Sequence, residues 1–457
     1  MKRISYAMTA LCVALLVAAS GCAPMTNAPT NAANTSATPG AKANASASPS
    51  PTATPAAPDN SEAGLPVTLP VLDAMFADSS FAGELKSKLQ LTNEQVESLR
   101  KIAREETSKL SEKEAGSGTT SEATRSAEEK IKGVVGEEKL AAFTALVRGR
   151  WSDGAGALPG KPNSVPTDTR VVVNAPAFRM DVFENGQLVK TYKVGIGYPE
   201  FPLPQGVRKA EQIIFNPTWT PPDEPWVKGK VQPGEVIPAG SGINPLGPIK
   251  IPIGQPSLIH GGKHPSRLGQ FASHGCVGLT SPMVQDFAVL LAQASGTKLT
   301  PEDVASYART PSRTQALKLA APVPVELRYE TIVVEDGRLH IYRDVYDKGT
   351  NTEESLRRVL ETYGVRLEDL SEQERAQASE ALQAMAHDAH GNPSRDSGAP
   401  PKGKSKSGNV TYNVKGDKEV VIEVAALRGK GYPAPVNPSP APTPTPDASA
   451  PKKKKGK

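Results

Sequence analysis

The chain has 457 residues, with 43 prolines and 39 glycines, so its length predicts two to four domains joined by unpacked segments. Hydrophobic residues make up 38% and aromatic residues 5%, which is low for a wholly globular chain and predicts long tethers. A formal charge of +5 is too small to argue for a nucleic-acid partner, and none is expected.

Lys2 and Arg3 precede an apolar run from Met8 to Ala19. The run is too short for a stable membrane span and reads as the core of a signal peptide over residues 1–21. It ends in Ala19-Ser20-Gly21-Cys22, which resembles the cleavage motif of bacterial lipoproteins. The resemblance implies that Cys22 carries the lipid and anchors an exported protein of the cell envelope or periplasm to a membrane. Ala19 stands where that motif prefers Leu, so ordinary signal cleavage is the alternative. Residues 22–65 are almost entirely Ala, Pro, Thr, Ser and Asn, a disordered tether with a reach on the order of 35–40 Å.

Residues 66–152 read as a separate N-terminal α-helical region. Thr92-Asn93-Glu94-Gln95 is a capping-box pattern, followed by Val96, Leu99 and Ile102 at helical spacing. Leu140, Phe143, Val147 and Trp151 form a second apolar stripe. The region carries no catalytic constellation; it is a small bundle or a module that binds a partner. A Gly/Pro-rich linker over 153–166 follows.

From 167 to 346 the pattern changes to period two, punctuated by Gly and Pro, and predicts a mainly β domain of antiparallel strands, a sandwich or barrel. Glu184-Asn185-Gly186-Gln187 reads as a hairpin turn. The proline-stiffened loop Asn216 to Trp226 holds two tryptophans, Trp219 and Trp226, that cap the core or wall a cleft. Ser281-Pro282 reads as the cap and first position of a helix ending at Gly296. Residues 347–392 predict two amphipathic helices, the second opened by Ser371 and Glu374. Residues 393–430 read as a linker with a late hairpin, Asn409–Val414 against Glu419–Val424. Residues 431–457 read as a disordered Pro/Lys tail, most simply solvated.

The chemistry concentrates in one stretch. Three of the six histidines, His260, His264 and His274, fall within it, with the one cysteine beyond residue 22. Cys276 offers a nucleophilic sulfur, His260 and His274 offer proton acceptors, and glycine-flanked backbone N–H groups over 274–276 can face an oxyanion. An imidazole or an array of N–H groups beside a thiol lowers its pKa. Against this stands a buried, inert thiol, or a zinc site built from His260, His264, His274 and Cys276. No His-Glu-x-x-His or Cys-x-x-Cys pattern supports the metal, and no Lys-Thr-Gly accompanies the Ser-x-x-Lys pairs a serine transpeptidase would need.

Ile259-His260-Gly261, then Ser273-His274-Gly275-Cys276-Val277-Gly278-Leu279, resembles the signature of the YkuD-type L,D-transpeptidase catalytic domain, with the two histidines fourteen positions apart. Val194-Gly195-Ile196-Gly197, Asn216 to Pro222, and Asn244-Pro245-Leu246-Gly247 extend the likeness upstream. The resemblance implies a β-rich domain acting on peptidoglycan stem peptides without cofactor or metal. Cys276 would be the nucleophile and His260 the general base. His274 and Gly275 would shape the oxyanion loop, and Ser273 would buttress it. Trp219, Gly261 and Gly278 would contact substrate. Gly278 departs from the family, whose members carry Arg or Asn there. The acceptor would be a stem amine or a protein; hydrolysis on the same scaffold, or an inactive wall-binding protein, are the alternatives.

Overall fold

The structure, a computed structural model, describes residues 65–110, 117–152, 156–222, 227, 231–254, 257–394 and 410–436. Residues 1–64, with Cys22, Trp226, and the tail beyond 436 lie outside the described residues. No helix among the described residues is long and apolar enough to cross a membrane.

The N-terminal region folds as α1 (Leu69–Ala77), α2 (Ser79–Leu89), α3 (Asn93–Ser108), α4 (Ser117–Val135) and α5 (Glu137–Ser152). The Thr92 hydroxyl accepts from the Gln95 N–H at 3.2 Å while Gln95 Oε1 accepts from the Thr92 N–H at 3.0 Å. This satisfies two donors that a helix start leaves open. Val96, Leu99 and Ala103 then share a buried face of α3. Phe143, Val147 and Trp151 do the same on α5. The bundle is tied to the β domain that succeeds it in the chain. Trp151 Nε1 donates to Gln205 O at 2.9 Å, and the Arg208 guanidinium lies 3.6 Å from the indole centroid. A buried indole N–H needs an acceptor, and here the acceptor belongs to the β domain.

That domain consists of β1 (Arg170–Asn174), β2 (Arg179–Glu184), β3 (Gln187–Lys193), β4 (Ile196–Gly197), β5 (Gly206–Phe215), β6 (Ile249–Pro252), β7 (Leu258–His260), β8 (Phe271–Ser273), β9 (Val277–Gly278), α6 (Ser281–Ala294), α7 (Pro301–Ala308) and β10 (Gln315–Arg328). One sheet of eight strands runs β3-β2-β1-β10-β5-β6-β7-β9 and curls into a half-barrel, with β4 and β8 paired separately. Asn185 at φ 50° and Gly186 at φ 80° make the tight β2–β3 turn that the sequence predicts. The helix α6 buries Val284, Phe287, Ala288 and Leu291. Its cap is Thr280, whose hydroxyl accepts from the Met283 N–H at 3.4 Å, one residue ahead of the predicted Ser281. The sheet is mixed where antiparallel pairing was expected: β1 pairs with β10 in parallel, as does β7 with β9. Both parallel partners are reached by crossovers long enough to bring the chain back in the same direction.

The remaining chain forms β11 (Ile332–Glu335), β12 (Arg338–Tyr342), α8 (Glu353–Thr362), α9 (Glu372–Met385) and β13 (Glu419–Glu423). The sheet order β11-β12-β13 carries both helices, which pack Leu356, Val359, Leu360, Ala381, Leu382 and Met385 into a second apolar core. The predicted boundary at 346 therefore cuts through this core. The late hairpin is also absent: β13 pairs antiparallel with β12, covering an edge that would otherwise be open. The described part of the predicted tail is packed, with Tyr432 buried and Val436 O accepting from the Thr191 N–H at 2.8 Å.

Candidate active site

His260 ends β7, and Cys276 immediately precedes β9. The two strands pair in parallel with Ile259 opposite Val277 and His260 opposite Gly278. Side chains alternate along a strand, so Cys276, two residues before Gly278, shares the face of His260. The same register sets Leu258 beside Cys276, where its backbone N–H favours the thiolate. On the other side Lys250 of β6 stands opposite His260.

His260 is 3% exposed, and its Nδ1 lies 2.8 Å from Gly261 O. A carbonyl only accepts, so in the neutral ring Nδ1 carries the proton and Nε2 keeps the lone pair a base needs. Burial, and then the Lys263 ammonium, push this imidazole down to about 3, against the carbonyls of Gly261 and Leu246. The Cys276 thiol is pushed up by burial, with the Leu258 N–H and the Lys263 ammonium opposing. The lowered thiol pKa expected from a neighbouring imidazole is therefore not what the geometry produces, because a neutral ring supplies no charge.

The loop before β9 is held from both sides. Ser273 Oγ donates to Cys276 O at 2.6 Å and accepts from the Cys276 N–H at 3.0 Å. Ser257, fully buried, donates to Gly275 O at 2.8 Å. Gly275 has φ +92°, a conformation that L side chains rarely adopt. The oxyanion expectation narrows with this wiring, since the Cys276 N–H is committed to Ser273. The His274 ring lies edge-on to Tyr198 at 5.1 Å and to Phe201 at 4.6 Å.

Register and hydrogen bonds thus bring His260, Gly278, Cys276 and Ser273 together beside the β7–β9 pair, with Gly261, His274 and Gly275 as their chain neighbours. Trp219 sits in the loop between β5 and β6, half-exposed, its backbone paired with Ile237. That loop reaches the site row through Thr218 O, which accepts from Lys250 Nζ at 3.3 Å. His264 is exposed, and its Nδ1 contacts Ser266 Oγ at 2.8 Å. Among the described residues no group of three His, Cys, Asp or Glu side chains is arranged to hold a metal ion.

The sequence reading missed Lys263, Ser257 and the Tyr198–Phe201 pair. Only Lys263 carried any signal, as a cation inside the His260–Cys276 interval. The C-terminal segment was missed as well: Tyr412 lies edge-on to Tyr198 at 5.5 Å, and Thr411 Oγ1 donates to the buried Glu200 carboxyl at 2.5 Å.

The fold and site define a curled β-sheet domain that presents a thiol and a neutral imidazole on one face. Residues 168–304 match the model of the YkuD L,D-transpeptidase catalytic domain. Among solved structures, the chain is similar to the catalytic domain of an L,D-transpeptidase from E. faecium, at 14% identity and a TM-score of 0.25, covering 36% of this chain and 100% of that one. It is also similar to an L,D-transpeptidase from Mycobacterium smegmatis, at 14% identity and a TM-score of 0.22, covering 35% of this chain and 58% of that one. One from Mycobacterium tuberculosis H37Rv gives 14% identity, a TM-score of 0.21, and coverage of 35% and 57%. The chain thus spans less than two thirds of the two mycobacterial proteins. No curated protein matches the chain.

Proposed function

We propose that this protein is a peptidoglycan L,D-transpeptidase of the cell envelope, tethered to a membrane through Cys22. The observation that carries the reading is the shared face of Cys276 and His260, with the imidazole tautomer fixed by Gly261 O. Cys276 sulfur attacks the carbonyl after the L-centre of the diamino acid in a donor tetrapeptide stem, and its proton passes to His260 Nε2. The developing oxyanion draws on the Gly275 N–H. The C–N bond to the terminal D-Ala breaks, and the imidazolium returns the proton to the leaving amine. Because His260 holds a proton poorly, that return is fast and the ring is again neutral for the second half. An acceptor amine, from a second stem or from a protein, attacks the thioester and releases the sulfur. The helical region would serve a partner or hold the domain at the right distance.

The test is incubation of the purified protein with defined tetrapeptide muropeptides, with and without an acceptor amine, and identification of products by mass. Cross-linked product supports transpeptidation. Loss of D-Ala alone makes the protein a carboxypeptidase, and no product in either arm makes it a binding protein. Cys276→Ala should abolish turnover with the melting temperature kept, and retained turnover would overturn the thiol mechanism.

A further inference from the structure

Lys263 follows the His260-Gly261-Gly262 turn, and its backbone N–H donates to Leu279 O at 3.0 Å, just past the end of β9. From that anchor its stem runs back across Gly278. A Cβ added at Gly278 would lie 2.7 Å from Lys263 Cγ, 2.9 Å from Cε and 3.3 Å from Cδ. The stem therefore occupies the space that any side chain at 278 would take. Gly278 shares its face with His260 and Cys276, so a stem crossing it carries the ammonium toward the sulfur, with which it is electrostatically coupled.

The bland alternative is a surface lysine whose methylenes happen to cover a glycine. Three features favour a built arrangement. The residue is half-buried with its backbone pinned; the glycine beneath it leaves a track of the right shape; and the imidazole on the same face is neutral. The charged and titratable groups around Lys263 are Cys276, His260 and Arg267. Arg267 is partly diverted, its guanidinium lying 4.4 Å from the Tyr412 ring centroid.

We propose that Lys263 supplies the positive charge that favours the Cys276 thiolate against burial, and that position 278 is glycine because the Lys263 stem must pass there. Lys263 acts through the sulfur and forms no bond; the S–H proton leaves to His260 Nε2 or to water while the ammonium stays protonated. This rests on the reading of Cys276 as nucleophile, but it can be tested without turnover. Burial pushes the Lys263 ammonium down to about 8, so its help is present below that pH and is lost above it.

The experiment alkylates the full chain with iodoacetamide across pH 5 to 10 and follows the Cys276 peptide by mass spectrometry. Lys263→Met keeps the stem and deletes the charge. It should slow alkylation near pH 7 about tenfold, with the two curves converging above about pH 8 as the wild-type ammonium loses its proton. Lys263→Arg should keep the wild-type rate near pH 7. Gly278→Ala should lower that rate by displacing the stem, and should lower it no further once Lys263→Met is present. Lys263→Gln serves if Lys263→Met does not melt as the wild type does. An unchanged rate near pH 7 in a folded, uncharged variant overturns the proposal. A slowed rate in a protein that transfers nothing leaves this assignment standing and removes the transpeptidase reading; transfer without slowing does the reverse.

Discussion

His260 is buried and hydrogen-bonded through Nδ1 to Gly261 O, whereas His274 packs between the rings of Tyr198 and Phe201. The first arrangement leaves the Nε2 lone pair to accept a proton and the second fixes a ring. Their substitutions should therefore differ in kind. His260→Ala should lower transfer by about 10²–10⁴, as loss of a general base does. His274→Phe should keep the aromatic contacts and retain more turnover than His274→Ala, by about 2- to 10-fold if the rings contribute 0.5–1.5 kcal/mol. Equal loss in both His274 variants would show that the polar atoms of the ring matter. Acid stability is a second consequence at this scale. The folded value near 3 lies below the usual 6.5, so the unfolded chain binds the extra proton as pH falls. The associated stability is full above pH 6.5 and drains away toward pH 3, on the order of a few kcal/mol. Thermal melts from pH 7 to pH 4 should fall less steeply in His260→Gln than in the wild type.

Single secondary-structure elements meet through a few anchors. Trp151 closes α5 onto the start of β5 by one hydrogen bond and one guanidinium stack, and it leaves Gly206 no room, since a Cβ there would sit 2.8 Å from the indole nitrogen. Trp151→Ala should cost about 3–5 kcal/mol, the range for truncating a large buried aromatic. Trp151→Phe keeps most of the ring but strands the Gln205 carbonyl and should cost about 1–3 kcal/mol. Urea denaturation of the two variants checks the order; a neutral Trp151→Ala would mean that the bundle and sheet are not coupled here.

Across the whole molecule, the C-terminal segment is the feature that most changes the predicted domain plan. Tyr432 lies against Arg179, whose guanidinium pairs with Asp181 and Glu335 and donates to Pro433 O at 3.1 Å. Lys418 Nζ donates to Gly269 O at 2.5 Å, in the loop leading to the site. Ending the chain after Val436 should leave melting and Cys276 alkylation unchanged. Ending it after residue 409 removes β13, bares the β12 edge and takes from buried Arg179 and Glu200 their partners at Pro433 and Thr411, a loss of about 1–3 kcal/mol for each group left unsatisfied. Soluble yield and melting temperature of the two truncations check this. A shorter chain that melts as the full one does would make the segment an ornament.

What was legible in the sequence is what short stretches decide. Thr92 and Gln95, and Ser371 and Glu374, close their capping boxes within one helical turn, and Asn185-Gly186 takes the positive φ values that its turn requires. The candidate site was legible for a similar reason: His260 and Cys276 are close in sequence, with only β8 between the strands they adjoin. Tertiary structure alone decided the parallel pairings, because the direction in which a strand returns depends on the crossover and not on its own residues. It also decided that the Cys276 N–H is spent within the loop, since that turns on where Ser273 Oγ points. Lys263 belongs to this second group. In sequence it is one lysine among many, and only the register that sets Gly278 opposite His260 lays its stem across the site, because burial and charge at a position are made by neighbours the chain brings from elsewhere.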